Sequence, residues 1–293
     1  MPSTFSAELE GDGWTLRVTD KGLLHLTVGD IVVCDRGALH EWIDLRHWGG
    51  RERDGQPTET VGAPQGMQAS DYYRHHHHWI QTSAHDVTVE QYPKHRSVAI
   101  HGVLGTPEGR RGGARFQTIA SVTADAISLS VGREYLEDCP TVGDNSICFL
   151  SPPSFAARFL ARGDTYATRD DGWSEWRELP HEPGALVETH IPKRLRTQLD
   201  SNGRAWAILM GEDAGFGVLV WSAERMGHLT GGEIRCTRPR PPAEKKFDEI
   251  EFQWPRGPAH VGDTETAIIE LIPGKTAAEI AAKLDAIMTE TGA

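Results

Sequence analysis

Four consecutive histidines, His75 to His78, stand inside the run Tyr72 to Trp79, far from either end of the chain. If that run is extended, His76 and His78 project to one face and His75 and His77 to the other. An HxH pair on a strand has the spacing of a two-imidazole metal clamp that needs a third ligand from elsewhere. The same imidazoles could act as acid or base, because histidine titrates near neutral pH. The plainer alternative is a polar strand end. A second cluster runs from Phe247 to Trp254. Alternation sets Glu249, Glu251 and Gln253 on one face, with Ile250, Phe252 and Trp254 on the other. Neighbouring same-face Cα atoms in a strand are ~6.6 Å apart. Two carboxyls so spaced approach the ~5–9.5 Å separations used in glycoside hydrolysis. A solvated acidic face would look the same.

Isolated residues extend the candidate set. His101 follows Val98 and Ile100 but alternates to the opposite face, and His190 follows Glu188 in the same way. The turn-like stretch Thr168 to Trp176 mixes acids with Trp173 and Trp176. Exposed indoles stack on the C–H faces of sugars, and nearby carboxylates accept hydroxyl hydrogens; a small loop core is the structural alternative. Asp144-Asn145, ahead of an apolar run, reads as a turn.

These residues must be positioned by strands. Period-2 and β-branched runs recur from Trp14–Val18 to Glu265–Ile272, broken by turn residues, and no strand–helix alternation or phosphate-binding glycine loop is present. That pattern predicts an all-β chain, a large antiparallel β-sandwich, rather than a nucleotide-binding α/β fold. Asn202-Gly203 between two such runs predicts a tight hairpin. One helix is expected near the C-terminus, with Thr276 as cap, Glu279 completing a capping box, and Ile280, Leu284 and Ile287 forming an apolar stripe. The stretches from Trp42 to about Met67 and from Gly163 to Gly184 read as long binding-wall loops. No low-complexity linker divides the chain, so one domain over residues 1–293 is expected.

The chain has 293 residues and a formal net charge of −12, which argues against nucleic-acid or anionic-membrane partners. No run approaches the ~18 apolar residues of a membrane helix. The start, MPSTFSAELEGDGW, has no basic or apolar leader pattern, so a cytoplasmic location is expected. Cys34, Cys139, Cys148 and Cys236 form no CxxC pair and read as reduced core thiols.

The whole pattern resembles the galactose-mutarotase-like supersandwich of aldose epimerases and related sugar enzymes. His101-Gly102 resembles that family's His-Gly after a strand. Leu150-Ser151-Pro152-Pro153-Ser154-Phe155 resembles its His-Pro-Tyr-Phe-type turn, with the His replaced. The resemblance implies that a His acid protonates a ring oxygen while a Glu base removes the anomeric hydroxyl proton. His101, or His76 or His78, would be the acid and Glu251 the base. His76, Trp173, Trp176, Glu249 and His190 would contact the sugar.

The expected function is therefore a carbohydrate-active enzyme of epimerase or lyase type, working by His/Glu proton transfer on a sugar or sugar acid without a cofactor. The alternatives are a non-catalytic sugar-binding protein, or a metal-dependent enzyme holding a divalent ion at His76 and His78. A small-molecule carbohydrate is the expected partner, and exposed sheet edges would allow a homodimer without requiring one.

Overall fold

The computed structural model describes residues 4–43, 78–106, 109–123, 125–151, 158–162, 177–179, 194–198, 204–230, 232–237, 248–255 and 257–290. An N-terminal meander comprises β1 (Phe5–Gly11), β2 (Trp14–Thr19), β3 (Leu24–Val28) and β4 (Ile31–Ile43). Then follow β5 (His78–Tyr92), β6 (Ser97–Gly105), β7 (Arg111–Val122), β8 (Ile127–Tyr135) and β9 (Cys139–Ser151). Further along lie β10 (Arg158–Arg162), β11 (Arg177–Leu179), β12 (Arg194–Gln198), β13 (Ala205–Met210), β14 (Gly215–Arg225) and β15 (His228–Leu229). The chain continues through β16 (Glu233–Thr237), β17 (Asp248–Gln253), β18 (Gly257–Ala259) and β19 (Thr264–Gly274) to the helix α1 (Ala277–Glu290).

All pairings are antiparallel, and they sort the strands into two layers. In the first, β1 to β4 pair in order, β9 adds to β4, and β17, β16 and β12 follow outward. In the second, β5 to β8 pair in order, and β19, β14, β13 and β10 extend the layer. The layers are joined where His40 to Trp42 of β4 pair with His78 to Ile80 of β5. The expected all-β antiparallel sandwich with a C-terminal helix is thus what the chain forms.

Alternation explains why these segments are strands. In β2, Trp14, Leu16 and Val18 face inward, and in β3 Leu24, Leu26 and Val28 do the same. Gly13, with φ at +73°, turns the chain between β1 and β2, a conformation that disfavours a side chain. Across the interior, Phe149 of β9 meets Phe216 of β14 edge to face, with ring centroids 6.3 Å apart. Gln81 of β5 fastens the layers by accepting from the Leu39 N–H at 2.9 Å and donating to the Gly22 carbonyl at 2.8 Å.

The helix sits on the outer face of the second layer. Thr276 Oγ1 accepts from the Glu279 N–H at 3.1 Å, and Glu279 reaches back to the Lys275 N–H at 2.8 Å. The Thr276 backbone also helps hold the carboxylate, as the expected capping box requires. Ile280 and Leu284 are fully buried. They lie over Gly217 and Gly274, where an added Cβ would meet Ile280 at 3.0 and 2.7 Å. Small residues on the sheet thus allow the helix its close approach. No described helix is long and apolar enough to cross a membrane.

Three local expectations are corrected. β12 pairs with β16, while β13 pairs with β10 and β14, so Asn202-Gly203 does not join a β12–β13 hairpin. Asp144 and Asn145 belong to β9, opposite Trp42 and Glu41, and are not a turn. Phe5–Gly11 is a strand beyond those expected from the sequence pattern; its partner is the full length of β2.

Candidate functional site

Residues of one parity in three adjacent strands fill the core: Gly37 and Leu39 of β4, Ile147 and Phe149 of β9, Ile250 and Phe252 of β17. The alternate residues therefore share the opposite face of the layer. Register sets them in rows. Ala38, Cys148 and Glu251 form one row; His40, Ser146 and Gln253 form the next; Arg36, Leu150 and Glu249 lie on the other side. The rows continue onto β16 and β12, where the Glu251 row reaches Arg235 and Arg196.

An outward sheet face would ordinarily be wet. Here its centre is buried: Ser146 is 0% exposed, Cys148 and Glu251 7%, and Gln253 4%. Buried polar groups need partners, and a buried carboxylate needs donors above all. Gln253 Nε2 donates to Glu251 Oε1 at 3.2 Å, and the Cys148 thiol donates to Glu251 Oε2 at 3.4 Å. Ser146 Oγ lies 3.2 Å from Cys148 Sγ and extends the chain of contacts. Each carboxylate oxygen of Glu251 is thus held from a different side.

The core braces this face from behind. Arg133 of β8, itself buried, crosses the interior and donates from Nη2 to the Ser146 carbonyl at 3.2 Å. Its guanidinium lies 4.6 Å from the centroid of the Trp254 ring and faces the Glu265 carboxylate. The Tyr135 hydroxyl donates to that carboxylate at 3.1 Å. An arginine so deep requires such compensation.

The sequence candidates divide. Glu251 stands at the centre of the polar face, with Glu249 one row away by register. His78 opens β5 at the position paired with Trp42, which places it by register on the same face as His40. His101 does not join them. It lies in the second layer between Thr88 and Gln117, half-buried, while Ile100 and Gly102 on either side turn inward. Glu251 likewise lies between inward residues of the first layer, so the two outward faces point away from each other. The fold therefore does not pair His101 with Glu251. His76, Trp173, Trp176 and His190 fall outside the described residues.

Both thiols whose side chains are described are reduced and buried, as expected, and they differ in which face of the layer they occupy. Cys34 is a free core thiol whose pKa burial pushes up to about 12. Cys148 is a buried thiol in no disulfide and belongs to the polar face. Alternation through Ser146–Leu150 carries that signal, because Ile147 and Phe149 claim the core. Ser146, His40 and Arg235 escape sequence reasoning for a different reason: only strand pairing sets them on the face of Glu251, Arg235 directly opposite it and His40 two strands away. Among the described residues, no group of three or more His, Cys, Asp or Glu could hold a metal ion.

No protein-family model matches the sequence, and no curated protein matches it. Solved structures do resemble the chain. A candidate aldose 1-epimerase from Escherichia coli K12 is 12% identical, with a TM-score of 0.48, over 92% of this chain and 98% of that one. A galactose mutarotase related enzyme from Lactobacillus acidophilus is 12% identical, with a TM-score of 0.46, over 92% and 97%. An α-N-acetylgalactosaminidase from Bifidobacterium bifidum is 12% identical, with a TM-score of 0.47, over 98% of this chain and 39% of that one. The first two are of the kind the sequence resemblance named. At such scores residue roles do not carry across, and the chemistry rests on this chain's own side chains.

Proposed function

We propose that the chain is a carbohydrate-active enzyme of epimerase or lyase type in which Glu251 is the general base. One observation carries the reading: a carboxylate 7% exposed, on the face turned away from the hydrophobic core, with a donor on each oxygen. Glu251 occupies the middle of a polar sheet face, where a ligand can be surrounded by side chains from several strands.

In an epimerase reaction Glu251 takes the anomeric hydroxyl proton as an imidazolium gives one to the ring oxygen. The ring C–O bond breaks, the carbonyl forms, and the reverse steps close the ring on the other face. In a lyase reaction Glu251 takes the proton α to a sugar carboxylate, and the β C–O bond breaks as its oxygen is protonated. Both begin with proton abstraction by the same group. Register supports His40 or His78, rather than His101, as the imidazole. His40 is two strands and one row from Glu251, which is roughly 12 Å between Cα atoms.

The test is a thermal-shift screen against monosaccharides, uronic acids and short oligosaccharides, followed by turnover of any stabilising sugar. A ligand at ~100 times its dissociation constant stabilises by about 2.7 kcal/mol. A selective shift that Glu251→Gln retains while losing turnover supports the reading. A flat panel overturns it.

A further inference from the structure

We propose that Cys148 is a positioning residue for Glu251, and this rests on the reading of Glu251 as the base. The two residues are directly paired across β17 and β9, so their Cβ atoms leave the sheet side by side. The Sγ–Oε2 separation is 3.4 Å, a length suited to a thiol donor, whose sulfur is larger than oxygen. Gln253 holds the other oxygen at 3.2 Å, and Ser146 lies 3.2 Å from the thiol. These residues form two neighbouring cross-strand pairs, Cys148 with Glu251 and Ser146 with Gln253.

A carboxylate on a flexible glutamate side chain can rotate about its last torsion with little cost. Donors on both oxygens remove that freedom and fix which oxygen faces a substrate proton. A thiol is a weak donor, so it orients the carboxylate without competing strongly for the proton the base must take. The inward neighbours Ile147 and Phe149 lock the strand that carries the thiol, and Arg133 grips its backbone at Ser146. Cys148 does not itself touch the reacting atoms; it acts through Glu251.

Two measurements decide the matter. The first needs no substrate: iodoacetamide labelling of Cys148, mapped by mass spectrometry, in wild type and Glu251→Gln. An adjacent carboxylate disfavours the thiolate, the reactive form, so its neutralisation is expected to raise the Cys148 labelling rate about tenfold. The deeply buried Cys34 is the internal control and stays unlabelled in both. An unchanged Cys148 rate overturns the contact. The second uses whichever sugar the screen identifies. Cys148→Ala is expected to lower kcat about tenfold with KM little changed, because a hydrogen bond to a charged group is lost. Cys148→Ser, which keeps a donor, is expected to recover most of that loss. Wild-type kcat in Cys148→Ala, or equal losses in the Ala and Ser variants, overturns the positioning role. If no sugar binds, the base reading and this role fall together, and a positive labelling result shows that the function failed rather than the contact.

Discussion

Glu251 and Cys148, separated by 103 positions in sequence, are directly opposite one another across two strands, and the thiol donates to the carboxylate at 3.4 Å. The pair lies on the face away from the core, yet both residues are more than nine-tenths buried. Burying polar groups is costly unless they are hydrogen-bonded, and here the thiol and the Gln253 amide supply donors to the carboxylate.

Replacing Glu251 tests its proposed role as the base directly. Glu251→Gln preserves size and one acceptor oxygen, and rotation of the Gln253 amide lets its oxygen accept from the new NH2, so the variant is expected to fold with a melting temperature close to wild type. Turnover is expected to fall about a hundredfold or more, the contribution of a positioned general base. Undiminished turnover removes Glu251 from the mechanism.

A different carboxylate reports on the second layer. Glu270 of β19 is 8% exposed, and burial raises its pKa above the ordinary 4.5 although a hydrogen bond with Ser128 opposes the shift. A raised folded value means that the unfolded chain releases its proton first. The wild type therefore loses stability as pH climbs from the ordinary value through the raised one. Glu270→Gln is expected to be the more stable protein at neutral pH, with the advantage vanishing in acid. Denaturant melts across that range check it, and a constant difference at all pH values contradicts it.

The helix terminus carries the opposite sign. Burial pushes the Glu279 carboxyl up, but the Lys275 N–H, the Lys283 side chain and the Thr276 backbone outweigh it and hold the pKa below 4.5. The stabilisation is present above the ordinary carboxylate range and is lost as pH falls through the depressed value. Glu279→Gln should therefore differ from wild type at neutral pH and converge with it in strong acid, as thermal melts at the two pH values would show. Removing the cap itself, by Thr276→Ala, is expected to cost about 1 kcal/mol at neutral pH.

The inter-layer contact is testable without any ligand. Phe149 is fully buried and meets Phe216 edge to face. Phe149→Ala is expected to destabilise by about 3–5 kcal/mol, as large core truncations do. A loss below about 1 kcal/mol in equilibrium unfolding would show that the layers do not pack through this pair.

Local order is legible in the amino-acid sequence alone. The alternation of Phe247–Trp254 separates Glu251 and Gln253 from the apolar Ile250 and Phe252, and Thr276 with Glu279 marks the helix start. Both are properties of neighbours two to four residues apart, and backbone geometry alone sets them. The partners of those residues are not legible. Asn202-Gly203 has the chemistry of a hairpin, yet β12 finds β16 and β13 finds β14, because pairing is decided by which apolar faces can be buried together. Cys148 reads as a core thiol by type and belongs to the polar face by parity. His101 stands out as a histidine on a strand, but its layer faces away from Glu251. Sequence thus determines which residues can share a face within one strand. Only the tertiary structure decides which strands lie side by side, since that choice is made by burial summed over the whole core.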